Sequence, residues 1–361
     1  MNILKNNIFL KAKDFIIKNR EKYPKLYVVI LFFNKIRDKE FIELFFNREN
    51  ILKYNNFGPL NNEKIIYFIS INQGAIGFGA YFRWTLHALY DADSLKAYPV
   101  VYFGDKCPYR ENVNIVGTDN PFEYYFEQPA KIKVEEVLKS NKVISFMGPN
   151  LYRIDKSLGI MKDSSDLPVG YKNISDKYII TLGDVVQKYI KLNNKSIEFI
   201  SKSQKKIFRD NIDLKTVLAV HVRGTDFALH WDKHPNIVGI EDYFKVIDEA
   251  IEKHHFKYIF LATDDIVRLN IFKDKYNEKL LYFEDVNRTS EQVNVSFVRN
   301  DREKNRYLNG LECLRDMYTM AKCGGFIAGL SQVSISVRII NRSSENIFLY
   351  EKIIDKGVYN I

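Results

Sequence analysis

Polar side chains that can hold an anion follow three apolar runs in the second half of the chain. Residues 221–226 read His-Val-Arg-Gly-Thr-Asp, residues 263–265 read Thr-Asp-Asp, and residues 331–334 read Ser-Gln-Val-Ser. The guanidinium of Arg223 presents a fixed fork of donors that matches phosphate oxygens. Ser331 and Gln332 precede a predicted helix, and a helix start offers free N–H groups and a positive dipole to an anion. Together the three clusters predict a diphosphate site.

Each cluster directly follows a predicted strand, in a stretch where strands and helices alternate. Strands are predicted at 217–222, 258–263, 280–283, 325–330 and 347–350, and helices at 241–255, 265–276, 311–323 and 334–341. This alternation predicts right-handed βαβ crossovers and a parallel sheet. Ligands bind at the carboxyl ends of the strands in such sheets. We therefore expect the three clusters to line one edge of one sheet.

The first half of the chain opens in a similar way. A strand is predicted at 65–71, followed by Gly74, Gly77 and Gly79, a helix at 81–90 and a strand at 98–103. This order is the opening of an α/β layer. Residues 144–146 are a further strand candidate, and 183–212 are predicted to be helical and to link two domains. With 361 residues the chain exceeds the size of one core, so we expect a domain at 61–205 and another at 206–361.

Residues 1–60 are predicted to be an amphipathic helical extension that ends at the turn signal Phe57-Gly58-Pro59. They hold twelve Lys or Arg and six Asp or Glu, which is +6 of the net charge of +9. Three interpretations follow: a solvated lysine-rich surface, a peripheral contact with an anionic membrane, or a nucleic-acid face. The chain has no interleaved basic and aromatic platform, so we expect no nucleic-acid partner.

Composition places the chain among folded proteins, because 46% of its residues are hydrophobic and 27% are charged. Its three cysteines, Cys107, Cys313 and Cys323, are not at metal-ligand spacing and cannot form a full disulfide set, which fits a reducing cytoplasm. The apolar run at 26–33 has eight residues, whereas a spanning helix needs about 20. No signal-peptide pattern precedes it. We expect a cytoplasmic protein, at the inner face of the membrane if residues 1–60 dock there.

The charged candidates also have simpler structural interpretations. Arg223 can pair with Asp226 or Asp264, since structural ion pairs mimic functional sites. Asp264 and Asp265 can cap the helix that follows them. Taken together, the three clusters favour the anion site over these alternatives.

Three further polar positions carry two interpretations each. His221 is either a packed histidine beneath the loop or a ligand contact. Asp316, among apolar residues of a predicted helix, is either half exposed or a carboxylate that accepts two hydrogen bonds from a base edge such as that of guanine. The Asp91-Ala92-Asp93 triplet mimics a metal-binding carboxylate pair, but it ends a predicted helix, so we interpret it as a turn.

In order and spacing, residues 215–340 resemble the fucosyltransferases of the GT-B fold, especially the α1,6-fucosyltransferase and bacterial nodulation fucosyltransferase group. The resemblance rests on five features: residues 221–226, Glu-Asp-Tyr at 241–243, Ala-Thr-Asp-Asp at 262–265, Asp316, and Ser-Gln-Val at 331–333. The glycine loop at 74–79 resembles the first βα turn of that family more loosely. Residues 120–127 resemble a segment common in bacterial polysaccharide-assembly proteins. The implied fold is GT-B, with two Rossmann-like domains whose parallel sheets face each other across a cleft.

The resemblance also implies a reaction: inverting, metal-independent transfer from a GDP-sugar, GDP-fucose first of all, to a bacterial surface glycan or lipid-linked oligosaccharide. Arg223 would contact the β-phosphate and stabilise charge on the leaving diphosphate. No cofactor is implied besides the donor substrate. The remaining donor contacts implied are His221 and Asp316 at guanine, Asp264 and Asp265 in the nucleotide pocket, Ser331 and Gln332 at phosphate, and Thr225, Asp226 and Gly77.

Two departures from the family pattern concern an arginine and the general base. The family often carries an arginine soon after its serine motif, whereas here the next one is Arg338. In the α1,6 group an acidic residue after the His-x-Arg motif serves as base, and here 227–234 read Phe-Ala-Leu-His-Trp-Asp-Lys-His. We expect Asp232, or else His230, to deprotonate the acceptor. Another nucleotide-sugar donor and a non-catalytic glycan-binding or scaffold relative are the alternative functions.

Overall fold

A computed structural model describes residues 52–74, 76–147, 170–171, 174–209, 212–225, 234–291 and 301–359, together with Phe15 and positions 293, 295 and 298. Most of the predicted N-terminal extension lies outside the described residues, so its proposed surface or membrane role stays a prediction. Asp226, His230 and Asp232 also lie outside them.

The first sheet has four strands in the order β1-β4-β2-β3, namely β1 (Leu52–Asn55), β2 (Leu60–Ile71), β3 (Tyr98–Phe103) and β4 (Ser140–Met147). β2 runs parallel to β3 and β4, and β1 pairs antiparallel with β4. The helix predicted through residue 60 is therefore wrong at 52–55, because ladder pairing with β4 overrides the local pattern. The predicted turn before β2 is present. It packs closely at Gly58, because a Cβ there would lie 2.7 Å from the carbonyl oxygen of Lys139.

Alternate residues of β2 enter two different cores, as expected of a strand covered on both faces. Tyr67 and Ile69 face the large core that includes helix α1 (Phe78–Ser94). Ile66 packs instead with Val100 beneath the short helix α2 (Val134–Val137). The first sheet is thus a layered α/β unit.

The second sheet has five parallel strands in the order β7-β6-β5-β8-β9. They are β5 (Val217–Val222), β6 (Tyr258–Thr263), β7 (Leu280–Leu281), β8 (Gly325–Gly329) and β9 (Tyr350–Ile354), with helices α5 (Ile240–His254), α6 (Ile266–Tyr276), α7 (Asn305–Met320) and α8 (Gln332–Arg342). β5 is buried at every position, as in a parallel sheet covered on both faces. The two sheets of mainly parallel strands confirm the predicted α/β class with two Rossmann-like units, as in GT-B.

The last strand begins later than predicted, at Tyr350 instead of 347. The side chain of Asn341 accounts for the shift, because its amide donates to the carbonyl of Asn346 at 2.6 Å and accepts from the N–H of Phe348 at 3.2 Å. These bonds hold the apolar residues 347–349 in a loop. An apolar run alone does not reveal such a bond.

The segment predicted as one helical region at 183–212 forms two helices, α3 (Asp176–Tyr189) and α4 (Asn194–Phe208). Asn193 separates them, because its side chain caps α4 by accepting from the N–H of Ser196 at 2.9 Å. Its amide also donates to the carbonyls of Glu123 and Tyr124. α3 packs against both α1 and α8. We call these three helices the three-helix junction, since they join the two sheet units.

Residues 120–127 connect the first sheet to α7. The Asn120 side chain is 2% exposed; it accepts from the N–H of Phe103 at 3.0 Å and donates to the carbonyl of Val101 at 2.8 Å, at the edge of β3. The hydroxyl of Tyr125 donates to the carbonyl of Tyr307 at 3.0 Å. In this structure the segment fixes the packing between the units.

Gly79 lies where α1 meets the start of α8, and its substitution tests this contact. A Cβ there would lie 2.8 Å from the N of Val333 and 2.9 Å from the carbonyl carbon of Gln332. Alanine normally stabilises a helix by about 1 kcal/mol relative to glycine. We predict that Gly79→Ala instead lowers the free energy of unfolding in urea by about 1–3 kcal/mol, because backbone atoms must move.

Gly74→Ala is the matched control, since its Cβ would meet nothing closer than 3.5 Å. It should leave stability within about 0.5 kcal/mol of the parent. A Gly79→Ala variant as stable as the parent would contradict the close packing of α1 on α8.

Candidate active site

The three polar clusters lie at one edge of the second sheet. In the strand register His221 pairs with Ala262 and with Ala328, and Val222 pairs with Thr263. Arg223, Asp264 and the start of α8 therefore follow three neighbouring strands, which are spaced about 4.8 Å apart. Open parallel sheets bind ligands at this edge, where the carboxyl ends of the strands lie.

Asp264 organises the loop after β5. Its carboxylate forms an ion pair with the guanidinium of Arg223, accepts from the hydroxyl of Thr225 at 2.9 Å and accepts from the N–H of Gly224 at 3.3 Å. The Arg223 and Asp264 side chains are only 19% and 14% exposed, so water screens their attraction weakly. Asp264, one of the two carboxylates considered as partners of Arg223, pairs with it here, and Asp226 lies outside the described residues.

The backbone after β5 is tightly constrained. A Cβ on Gly224 would lie 2.4 Å from the Oδ2 of Asp265, so this position requires a glycine. Thr225 has a φ of +34°, an unfavourable value for a residue with a branched side chain. Strained residues of this kind cluster at ligand sites. The hydrogen bond from Thr225 to Asp264 helps to hold the strained conformation.

Asp265 caps a helix, which is one of the two roles that the sequence allowed for it. Its Oδ1 caps α6 by accepting from the N–H groups of Val267 at 2.8 Å and Arg268 at 3.1 Å. A capping carboxylate satisfies backbone donors that the helix itself leaves unpaired. Contact of Asp265 with a donor nucleotide stays a prediction.

Ser331 is the N-cap residue of α8 and is 2% exposed. Its hydroxyl accepts from the N–H of Ser334 at 3.0 Å, and the Ser334 hydroxyl accepts from the N–H of Ser331 at 2.8 Å. The cap fixes the helix start, while the side-chain oxygen of Gln332 accepts from the Nη1 of Arg83 at 3.1 Å. Gly77 is the loop residue of the predicted donor set. It precedes α1 in extended conformation and lies two residues before Gly79, which contacts α8.

His221 is buried, with 7% of its surface exposed, and its Nδ1 has no hydrogen-bond partner within the described ranges. Burial and the charge of Arg223 lower the pKa of His221 to about 4, so the imidazole is neutral. Its carbonyl accepts from the hydroxyl of Tyr243 at 3.3 Å, and that hydroxyl accepts from the N–H of Gly329 at 3.0 Å. Tyr243, from the 241–243 motif, thus ties β5 to β8 at the edge.

α7 carries Asp316, and electrostatic interactions of the preceding turn, at Cys313, with Arg223 and Asp264 bring this part of the helix near the edge. Burial raises the pKa of this carboxyl to about 7, although Arg315 and Arg288 oppose the rise. Arg288 lies at the ends of β6 and β7, where it donates to the carbonyls of Thr263 at 3.2 Å and Phe283 at 2.7 Å. Asp316 accepts no hydrogen bond from the described part of the chain. Burial therefore favours the protonated form of this carboxyl.

Two ion pairs that the sequence did not reveal fix the position of α7. Arg315, 1% exposed, donates to both carboxylate oxygens of Asp285 at 2.9 and 2.8 Å. Glu312, 4% exposed, binds Arg302 at 2.5 Å. The partners lie in loops with no regular pattern, so no spacing in the sequence could have linked them. The pairs hold the helix that carries Asp316 against the sheet.

Arg338, the next arginine after the serine motif, is tied to the fold. Its Nε binds the carboxylate of Glu351 at 2.5 Å, and its Nη2 lies 3.7 Å from that of Asp176 in α3. Asp93 likewise serves the fold, because it pairs with Lys188 and accepts from the hydroxyl of Tyr189 at 2.6 Å. The triplet at 91–93 lies within the last turn of α1, which extends to Ser94, so its interpretation as a turn after the helix is wrong.

Within the described ranges no three His, Cys, Asp or Glu side chains are grouped as a metal site would need. The same ranges contain no helix that is both long and apolar enough to cross a membrane.

Neither protein-family models nor curated proteins match this sequence. Among solved structures the chain is similar to NodZ α-1,6-fucosyltransferase soaked with GDP-fucose, with 18% identity and a TM-score of 0.45 over 76% of this chain and 92% of that one. It is similar to POFUT1 in complex with GDP-fucose, with 12% identity and a TM-score of 0.44 over 82% and 99% of the two chains. It is also similar to a mutant of Arabidopsis thaliana FUT1 in complex with GDP, with 10% identity and a TM-score of 0.41 over 91% and 77%.

The raised pKa of Asp316 predicts how the stability of the protein changes with pH. Its folded-state pKa lies above the ordinary value of 3.8, so between about pH 4 and pH 7 the folded chain keeps a proton that the unfolded chain has lost. The Asp316 contribution to stability therefore falls as the pH rises through this window. We predict that Asp316→Asn, which cannot ionise, is more stable than the parent at pH 8 by about 1–3 kcal/mol, with a smaller gain at pH 5.

Urea unfolding at the two pH values measures the difference. Asp285→Asn is a matched control, because Asp285 pairs with Arg315, the residue next to Asp316 in the chain. Arg315 overcomes the effect of burial and holds the pKa of Asp285 below its usual value. Its effect should have the opposite sign, with stability lost at pH 8. An Asp316→Asn gain that does not change between pH 5 and pH 8 would contradict a raised pKa.

Proposed function

We propose that the chain is a glycosyltransferase that binds a GDP-sugar at the carboxyl edge of the second sheet. The observation that carries the proposal is the Arg223–Asp264 pair at the end of β5. The capped start of α8 follows the neighbouring strand β8, and Cys313 of α7 interacts electrostatically with both the pair and Asp316. Each part suits one portion of a nucleoside diphosphate.

Arg223 and the start of α8 suit the diphosphate. The N–H of Ser334 in the first turn of α8 donates to the Ser331 hydroxyl, whereas the N–H groups of Gln332 and Val333 have no acceptor within their helix, and no acidic residue lies in that turn. The dipole of the helix adds partial positive charge there. Asp264 fixes the direction of the Arg223 guanidinium, which has five donors and so can serve a carboxylate and a phosphate together.

Asp316 suits guanine. Guanine presents two adjacent donors, N1–H and the 2-amino group, whereas one ionised carboxylate offers two acceptor oxygens. Burial makes the ionised form of Asp316 unfavourable, and two donated hydrogen bonds would offset that cost. Uracil, cytosine and adenine do not present this pair of donors. The buried Nδ1 of His221, without a partner within the described ranges, is a second polar atom available at this edge.

The transfer would proceed by one displacement. An acceptor hydroxyl attacks the anomeric carbon, the bond to the β-phosphate oxygen breaks, and GDP leaves with the bonding electrons. Arg223 and the α8 dipole stabilise the charge that grows on the diphosphate, a role that divalent metals serve elsewhere. Asp232, or else His230, takes the acceptor proton, and the attack inverts the anomeric configuration.

Fucose as the donor sugar, and a bacterial surface glycan or lipid-linked oligosaccharide as acceptor, complete the proposal. Both rest on the motif resemblance at 221–226, 262–265 and 331–333. A cytoplasmic location fits the use of a nucleotide-sugar, and the basic residues 1–60 would bring the enzyme to a membrane that carries a lipid-linked acceptor.

A non-catalytic relative of the same fold is the second candidate. The capping roles of Ser331 and Asp265, and the Arg223–Asp264 pair, are contacts that a scaffold protein would also need. Transfer or hydrolysis of a GDP-sugar separates the two candidates.

Thermal unfolding with GDP, UDP, ADP and CMP tests the donor assignment. GDP at 100 times its dissociation constant should add about 2.7 kcal/mol to the free energy of unfolding, and the other nucleotides much less at equal concentration. Asp316→Asn should lose the preference for GDP, because an amide cannot accept both guanine hydrogen bonds. A larger shift with UDP than with GDP, or none with GDP, would sink the assignment. Release of GDP from GDP-fucose in the presence of acceptor glycans tests the transfer itself.

A further inference from the structure

Arg83 of α1 is a fully buried arginine at the three-helix junction, with 0% of its surface exposed. Its Nε donates to the hydroxyl of Tyr178 in α3, and its guanidinium lies 5.1 Å from the centre of the Tyr178 ring. Its Nη1 donates to the side-chain oxygen of Gln332, the first residue of α8, at 3.1 Å. One side chain from the first sheet unit thus reaches the helix start proposed above to bind phosphate.

This contact determines how the amide of Gln332 is oriented. A guanidinium has donors only, so the atom that faces it must be the amide oxygen. The amino group of the same amide is then turned away from Arg83. No hydrogen bond from this amino group is present among the described residues, and Gln332 is partly exposed. Arg83 therefore leaves Gln332 as a hydrogen-bond donor at the start of α8.

The position of Arg83 is itself fixed. The Tyr178 hydroxyl accepts from Arg83 and forms a second hydrogen bond with the Nε2 of His87 at 2.9 Å. Burial, together with the charge of Arg83, lowers the pKa of His87 to about 3, so the imidazole is neutral and can accept. The N-cap Ser175 holds the start of α3 by accepting from the N–H of Tyr178 at 3.1 Å. This chain of bonds leaves the guanidinium little freedom.

We propose that Arg83 is a positioning residue of the donor site, which acts through Gln332 from the opposite sheet unit. It holds the Gln332 amide so that the amino group donates to an oxygen of the nucleoside diphosphate. The inference rests on the proposed function, and it adds a residue of the first unit to a site otherwise built from the second. The close approach of Gly79 to Val333 keeps α1 and α8 at the required distance.

The consequence is a specific dependence between two residues. Without Arg83 the Gln332 amide is no longer oriented, and its donated bond is lost. Without the Gln332 amide, the donor that Arg83 orients is absent. Each change should weaken GDP binding about tenfold, the size expected for one hydrogen bond to a charged group. The two changes together should weaken it no further than either alone.

A double-mutant cycle on the full chain measures this dependence by GDP titration calorimetry. The variants are Arg83→Met, Gln332→Ala and the double variant. We expect about tenfold weaker binding in each of the three. Tenfold losses that multiply to about a hundredfold in the double variant would overturn the proposal, as would unchanged affinity in Arg83→Met.

Arg338→Met is the matched control for general loosening of the junction, because Arg338 also joins α8 to α3 but lies away from the helix start. It should bind GDP as tightly as the parent. An equal loss in Arg338→Met would assign the effect to loosening and overturn the positioning role.

Gln332→Glu keeps the test decisive if Arg83→Met does not fold. A carboxylate at 332 still accepts from Arg83, so the thermal midpoint should be no lower than that of the parent, but it has no amino group to donate. We expect binding at least about tenfold weaker, and parent-like affinity would overturn the proposal. A parent chain that does not bind GDP would contradict the proposed function itself. Multiplicative losses in a chain that does bind GDP contradict only the role of Arg83.

Discussion

The carboxylate of Asp264 is the contact on which the candidate site depends. It pairs with Arg223 and binds the Thr225 hydroxyl and the Gly224 N–H, so it determines the course of the chain as it leaves β5. Because both members of the ion pair are mostly buried, removal of either one would leave a charge without its partner in a poorly hydrated place. The pair therefore serves the fold and orients the guanidinium at the same time. The structural and functional interpretations of Arg223 are compatible.

Burial then sets the protonation of the groups around this pair. It favours the neutral forms of both His221 and Asp316. Arg223 and the α8 dipole make one side of the site electropositive. On the side of α7, the carboxylate of Asp316 is stabilised most by a ligand that donates two hydrogen bonds to it. A nucleoside diphosphate combines an anionic end with such a base, which is why we propose a GDP-sugar as the ligand instead of a simple anion.

The strands around the site could be predicted from sequence because they are short, apolar and bounded by polar turns. β3, β5 and β6 begin and end at the predicted residues. What the sequence did not reveal depends on contacts between distant segments. β1 forms because β4 is present, and β9 begins late because Asn341 binds the loop before it. Arg83 is a polar residue in an apolar stretch of α1, which was a signal, but its partners Tyr178 and Gln332 are 95 and 249 residues away.

The central claim is that Arg223 binds the β-phosphate of a guanine nucleotide, and the comparison of GDP with GMP tests it most directly. Calorimetry of the parent chain should show that GDP binds much more tightly than GMP. In Arg223→Ala the preference for GDP over GMP should fall by about tenfold or more, since one hydrogen bond to a charged group contributes about 1.5–3 kcal/mol. GMP affinity itself should change little, because the guanine contact proposed above is at Asp316. An Arg223→Ala variant that keeps the parent ratio of GDP to GMP affinity would contradict the account.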